Sequence, residues 1–369
     1  MPNYNRSILT IPNSVLKHYG IEPYHPTLPE LDALLAKNYR NVVSIIFDAM
    51  GTYILDNNID KNSFLSKHKI LELTSVFPST TAVAITSLRS GLAPIEHGWL
   101  GKYCYFKEYD QCIELFKDRE YYTRDPVSSS IVTTILDFEK ITTRIDRLTE
   151  GEVSVHEIMP AFAGGLSTIE DVFSKVTEMC RNPGRNYISV YWDQPDETIH
   201  EAGCINDTIA GILNDINKNF EKTSKIVKDT IFIISADHGQ LDAGNYIFLN
   251  ELPKIDECLD KAPSVNERSM TFMLKNGTKD IFRERFSEIF TENDFILVEK
   301  EEYIKRFLGS GKPHYRADDF IGDFTAIGTG DKILMYKNSD RDAIKINKAY
   351  HSGLTEQEMV VPLIICECG

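Results

Sequence analysis

Three short apolar runs punctuate the chain, and each ends at or near an aspartate. Val42–Phe47 (VVSIIF) stops at Asp48, Tyr187–Trp192 (YISVYW) stops at Asp193, and Thr230–Ser235 (TIFIIS) lies just before Asp237. Runs this continuous fit strands covered on both faces, which is how parallel strands read. Segments with helical spacing, Thr168–Cys180 and Asp207–Lys222, lie between them. Strand and helix in alternation predict an α/β fold with a mostly parallel central sheet flanked by helices. Ligands gather beyond the carboxyl ends of the strands in such sheets, where Asp48, Asp193, Asp196 and Asp237 are placed.

From about Leu252 to Asp323 the pattern changes. Ser269–Leu274, Ile281–Phe290, Ile296–Val298 and Glu301–Phe307 read as strand, helix, strand and helix, with Gly309–Arg316 as a loop at the edge. These predict a small, cap-like α/β insertion over 252–323, with 1–251 and 324–369 forming the catalytic core. Asp331–Tyr336 and the last strand, Val360–Cys366, return the chain to that core.

Composition narrows the function. The 369 residues are 42% hydrophobic, enough for a large core, and the formal net charge is −15. A nucleic-acid-binding surface needs clustered Lys and Arg, so the charge argues against one. It does not exclude a small phosphate substrate, because bound metal ions invert the local field. No run approaches the ~20 apolar residues of a membrane span. The first twenty residues have neither a basic start nor an apolar block. Seven scattered cysteines, none in a C-x-x-C pair, read as reduced buried thiols. A cytoplasmic protein without membrane association is the expectation.

Four separated segments supply metal-ligating side chains. Asp48 ends the first strand; Asp196 and His200 stand four apart in DQPDETIH, on one face of a helix whose first turn suits Pro195. Asp237 and His238 are adjacent in SADHGQ, and His351 precedes the probable capping box Thr355-x-x-Glu358. Imidazole and carboxylate suit Zn²⁺, and six such groups suffice for two ions once a nucleophile and substrate oxygens complete the shells. Each alone is more often a turn residue or a surface pair; the joint pattern points to a metal centre. A nucleophile is offered by FPSTTAVAITSLRSG, where Thr80 and Thr81 open a helix-like run whose N-terminal N–H groups favour phosphate.

The segments IIFDAMG, FPSTTAVAITSLRSGLAPIEHG, YWDQPDETIHEAG, SADHGQ and HSGLTEQEMVVP, in that order from Val42 to Pro362, resemble the alkaline phosphatase superfamily. The branch they resemble is that of the nucleotide pyrophosphatases and type I phosphodiesterases. The resemblance implies that Asp48, Thr81, Asp237 and His238 surround one zinc, while Asp196, His200 and His351 hold the other. It makes Thr81, three residues after Pro78, the nucleophile, with Thr80 in reserve. It implies a double displacement through a phosphothreonine, with two zinc ions roughly 4 Å apart serving the attacking and leaving oxygens. Manganese or iron in one position is compatible with the ligands. Nucleotide-cleaving members carry an aromatic residue directly after the nucleophile and an Asn two residues further on. Here those positions are Ala82 and Ala84.

The resulting expectation is a two-zinc phosphodiesterase or nucleotide pyrophosphatase acting on a small phosphate ester. Phosphomonoesterase, phosphonate hydrolase and phosphomutase activities of the same superfamily are the alternatives, followed by a non-catalytic zinc-binding homologue. The FDAMGT segment superficially resembles the haloacid dehalogenase motif, but Met50 stands where that chemistry needs a second Asp. His97, Asp193, Arg89 and the loop residues Lys312, His314, Tyr315 and Arg316 are secondary candidates, each more simply read as structural.

Overall fold

The computed structural model describes residues 1–127, 131–337 and 345–369. Its centre is a six-stranded sheet in the order Lys69–Thr74, Val360–Cys368, Thr230–Ser235, Asn41–Phe47, Arg185–Trp192, Val153–Ile158. The four strands from Thr230–Ser235 to Val153–Ile158 are mutually parallel, and Val360–Cys368 runs antiparallel to both its neighbours. The mostly parallel α/β architecture is therefore present. Asn41–Phe47 and Thr230–Ser235 are buried at every position, the physical reason their sequences lack alternation.

Helices flank this sheet. Ile169–Met179 and Asp207–Ser224 pack on it through Val172, Phe173, Val176, Leu213, Ile216 and Phe220, all buried. Thr168 and Asn206 cap these helices through their side chains, so both begin where the chain supplies a capping oxygen. Pro195 stands at the N-cap of the helix Asp196–Ala202, one position ahead of the first turn.

A second sheet of seven strands lies alongside, in the order Phe295–Glu299, Phe324–Gly328, Ser269–Phe272, Ser264–Asn266, Tyr103–Phe106, Gln111–Glu114, Arg119–Glu120. Its partners come from two stretches far apart in the chain and join where Val265 pairs with Tyr103. A phenylalanine-rich core of its own, including Phe272, Phe282, Phe286 and Phe324, sits under the helix Lys279–Ile289. Ile333–Met335, within the stretch read as returning the chain to the core, pairs with Tyr246–Phe248 in a separate two-stranded ribbon. All seven cysteines are buried free thiols. Among the described residues no helix is long and apolar enough to cross a membrane.

Candidate active site

The carboxyl ends of Asn41–Phe47, Arg185–Trp192 and Thr230–Ser235 converge, and the turns that follow them carry Asp48, Asp196, Asp237 and His238. Two close backbone approaches hold the turns together. A Cβ on Gly51 would lie 2.6 Å from Gly239 Cα, and one on Gly239 would lie 2.1 Å from the Gln357 carbonyl. Neither glycine can therefore be replaced without parting the loops that carry Asp48, Asp237 and His351. Ala49 and Ser352, which follow Asp48 and His351, both have left-handed backbones (φ 59° and 97°). Strain of this kind in non-glycine residues persists only where surrounding structure imposes it.

The hydrogen bonds sort the ligand atoms. Asp237 Oδ1 accepts from the backbone N–H groups of Ala49 (3.0 Å) and His238 (2.9 Å). Asp48 Oδ2 accepts from the Tyr191 hydroxyl. The other oxygens, Asp48 Oδ1 and Asp237 Oδ2, are buried with no hydrogen-bond partner among the described residues. Both face His238 Nε2, at 3.5 Å and 3.3 Å.

The histidines follow one scheme. His238 Nδ1 contacts the Gly239 carbonyl at 3.0 Å, His200 Nδ1 that of Ala349 at 2.7 Å, and His351 Nδ1 that of Ser79 at 3.0 Å. A carbonyl accepts only, so Nδ1 of each ring carries a proton and Nε2 is the atom left to face a metal.

Electrostatics point the same way. Burial, then the nearby Asp237 and Asp196, pushes the Asp48 carboxyl well above the usual carboxylate range. Burial also raises Asp237, against the opposing pull of His238. Burial, then His238 and His200, holds His351 well below the ordinary imidazole value. Carboxylates buried and crowded together are costly unless a cation neutralises them.

Two groups of side chains bring their ligand atoms within 4.8 Å of one another: Asp48, Asp237 and His238, and Asp196, His238 and His351. His238 belongs to both, and its ring stacks on that of His351 with centroids 3.9 Å apart. His200 stands outside these groups but reaches Asp196 Oδ2 with its Nε2 at 3.5 Å. The sequence-predicted ligands are thus gathered in one place. Thr81 opens the helix Thr81–Ser90, and its Oγ1 lies 3.1 Å from His238 Nε2. Thr80 is buried, with its hydroxyl turned to Asn266 Nδ2 at 3.4 Å.

The match to a known family decides the wider question. Residues 42–355 fit the family model described as type I phosphodiesterase / nucleotide pyrophosphatase. The chain belongs to that family. It is a family of phosphoester hydrolases, within the alkaline phosphatase superfamily. Solved structures share the fold. Human ectonucleotide pyrophosphatase/phosphodiesterase 5 superposes with TM-score 0.63 at 16% identity over 87% of each chain. Phosphonoacetate hydrolase from Sinorhizobium meliloti 1021, in complex with phosphonoacetate, gives TM-score 0.63 at 16% identity over 89% of this chain and 90% of that one.

Of the secondary candidates, only Asp193 lies beside the site. His97 is buried with Nε2 2.9 Å from Ser87 Oγ, and burial lowers its pKa to about 3, a structural arrangement. Arg89 pairs with Glu157 at 3.3 Å. Arg316 is buried against Glu108 and Asp319. His314 N–H bonds the Ile95 carbonyl at 2.7 Å, while Lys312 and Tyr315 are exposed. Asp193 is half-buried beside the site, and burial raises its carboxyl.

Two residues of the site escaped the sequence reading. Tyr191 reaches Asp48 from the adjacent strand, and Gln240 donates to the Asp196 carboxylate and, at 3.1 Å, to its carbonyl. Gln240 stands in the quoted SADHGQ segment and was legible there as a polar residue beyond two ligands; Tyr191 sits in an apolar strand and carries no local signal.

Two outcomes test the arrangement. Zinc added to chelated protein is expected to raise the melting temperature, since a ligand at 1,000 times its Kd stabilises by about 4 kcal/mol. No rise with zinc, manganese or iron would argue against a metal centre. Asp196→Ala and His351→Ala are each expected to lower bound metal, measured by elemental analysis, with circular dichroism unchanged. Full metal content in both variants would remove these residues from the ligand set.

Proposed function

We propose that this chain is a metal-dependent phosphoesterase that uses two zinc ions, most consistent with a phosphodiesterase or nucleotide pyrophosphatase, and that Thr81 is its nucleophile. The observation that carries the reading is the position of the Thr81 hydroxyl at a helix N-terminus, 3.1 Å from His238 Nε2 and beside the two orphaned carboxylate oxygens. Asp48, Asp237 and His238 would hold one zinc, and Asp196, His200 and His351 the other.

Bound zinc would supply the charge that makes a threonine hydroxyl acidic and that offsets the developing negative charge on oxygen. The protein supplies the rest. Thr81 attacks phosphorus, its oxygen–phosphorus bond forming as the ester oxygen leaves, and the resulting phosphothreonine is cleaved by water in a second displacement. Val83 and Ala84 N–H bond the Thr80 carbonyl, so of the first turn of Thr81–Ser90 the N–H groups of Thr81 and Ala82 would serve the phosphoryl oxygens. Tyr191 and Gln240 fix the Asp48 and Asp196 carboxylates through hydrogen bonds, and the three backbone carbonyls fix the imidazoles. Because the transition state is mostly charge spread over oxygens, positioning and electrostatics do nearly all the catalysis.

A second reading within the superfamily, a phosphomonoesterase, phosphonate hydrolase or phosphomutase, is favoured by one feature. Ala82 and Ala84 are small and buried, so neither offers a surface for a nucleotide base. The experiment is hydrolysis of bis-p-nitrophenyl phosphate and p-nitrophenyl phosphate by zinc-loaded protein, before and after chelation. Faster cleavage of the diester, lost on chelation and restored by zinc, supports the phosphodiesterase. Preference for the monoester supports the second reading, and full activity after exhaustive chelation overturns both.

A further inference from the structure

A cleft of about 250 Å³ opens beside this site, lined by the start of the Tyr103–Phe106 strand, by the Gln111–Glu114 and Arg119–Glu120 strands, and by Met335 and Asn347. Five of its lining residues are cationic, Lys102, Lys117, Arg119, Arg124 and Lys345, against two carboxylates, Glu114 and Glu267. Lys345 is already paired with Glu201 at 2.8 Å and Lys102 lies 3.9 Å from Glu267, so the surplus is that of Lys117, Arg119 and Arg124 around Glu114. In a chain with a formal charge of −15, that is a local inversion of sign. Glu114 is buried and faces three of the cations: Arg119 at 2.7 Å, Lys117 at 3.2 Å and Arg124 at 3.4 Å. One carboxylate cannot neutralise three cations, so a positive surplus faces the cleft and repels itself unless an anion enters.

The cleft adjoins the candidate active site at two points. Asn347 lines it, with Nδ2 3.4 Å from His200 Nδ1. Lys102 lines it too, and its N–H donates to Asn266 Oδ1 at 3.0 Å, whose Nδ2 in turn meets Thr80 Oγ1, next to Thr81. Its aromatic residues do not offer a stacking platform at Tyr121. Tyr103 stacks on that ring at 3.5 Å, and the Arg124 guanidinium lies 4.8 Å from its centroid.

We propose that this cleft binds a second anionic oxygen group on the substrate, so that the substrate class is a small phosphate or phosphonate ester carrying a further carboxylate or phosphate. The assignment rests on the phosphoesterase reading above. The cations of the cleft take the distal anion while the metal-ligating residues take the reacting phosphorus, and this double anchorage selects substrates by the separation of two charges.

The test is calorimetric binding to zinc-loaded protein, which requires no turnover. Alkylphosphonates of increasing length are compared with ω-carboxyalkylphosphonates and α,ω-bisphosphonates of the same lengths. At one length the doubly anionic compound is expected to bind about tenfold tighter or more than its singly anionic partner, as a charge-assisted contact would give. Whether the carboxylate or the bisphosphonate gains more identifies the distal group. In Lys117→Gln/Arg124→Gln the advantage is expected to vanish while alkylphosphonate affinity stays unchanged; Lys117→Gln alone, at an exposed position, serves if the double variant does not fold. No advantage at any length, or a full advantage retained in the variants, overturns the proposal. Failure of every alkylphosphonate to bind, with the doubly anionic compounds still bound, would instead overturn the phosphoesterase reading and leave the cleft assigned.

Discussion

Thr81→Ala is expected to abolish phosphoester hydrolysis while the protein keeps its zinc and its melting temperature. Removing the nucleophile of a covalent mechanism costs on the order of 10⁴-fold or more in turnover, because no neighbouring hydroxyl can take its place in line. The structural cost is small by comparison. Thr81 is half-buried at the first position of its helix, and its hydroxyl bonds to His238 rather than to the protein core. Alanine suits a helix at least as well, so the expected change in stability is below about 1 kcal/mol. Thr81→Ser retains a hydroxyl and is expected to retain measurable turnover, and Thr80→Ala is the control, since the Thr80 side chain faces Asn266. A rapid quench of the wild type with ³²P-labelled substrate should trap label on threonine. Near-normal turnover in Thr81→Ala, or activity lost equally in Thr80→Ala, would place the nucleophile elsewhere.

Why the aspartates and histidines of the candidate site stood out from sequence, and Tyr191 did not, is a matter of range; between Thr80 and Thr81 the residues alone did not choose, and the family resemblance pointed to Thr81. The strands that end in Asp48 and Asp237 are buried on both faces, so hydrophobicity alone marks them, and a polar residue at the end of an apolar run is conspicuous. The Asp196–His200 pair shows through helical spacing, and the Thr355–Glu358 box through capping chemistry. These signals lie within a few residues of one another. Tyr191 meets Asp48 across a strand pair 143 residues apart. Nothing in YISVYW distinguishes a tyrosine that holds a carboxylate from one that fills a core.

In the second sheet Ser269–Phe272 and Phe295–Glu299 were legible as strands, but the part contributed by residues 103–120 was hidden for the same reason. Its strands Tyr103–Phe106 and Gln111–Glu114 are short, and their sequence neighbours are loops. Their partner strand begins at Ser264, and no local period announces a pairing across that separation. The cationic cleft inherits this invisibility. Lys102, Lys117 and Arg124 look like scattered surface charges until the sheet brings them to the lining of one cleft.

Arg268→Met is expected to destabilise the protein by about 3–5 kcal/mol, since it leaves a buried carboxylate without its cation. Arg268 and Glu358 are both wholly inaccessible to solvent. The guanidinium donates to Glu358 through Nε at 2.6 Å and through Nη2 at 2.8 Å, and to the carbonyls of Lys332 and Gly330 at 2.8 Å and 2.7 Å. Glu358 in turn accepts from the N–H groups of Gly353 at 2.7 Å and Thr355 at 3.2 Å, which anchors the loop that presents His351. One ion pair therefore ties the second sheet to a ligand-bearing loop of the central one. Denaturant unfolding should report the lost stability, and zinc titration a weakened site, because His351 and its carbonyl partner at Ser79 lose their support together. Arg268→Lys keeps the charge but not the fork, and is expected to recover only part of the loss. Arg268→Met/Glu358→Gln removes both charges and should be more stable than Arg268→Met alone, the mark of an uncompensated carboxylate rather than of lost packing. If the double variant is no more stable than Arg268→Met, the pair acts through packing and the electrostatic link between the sheets is refuted.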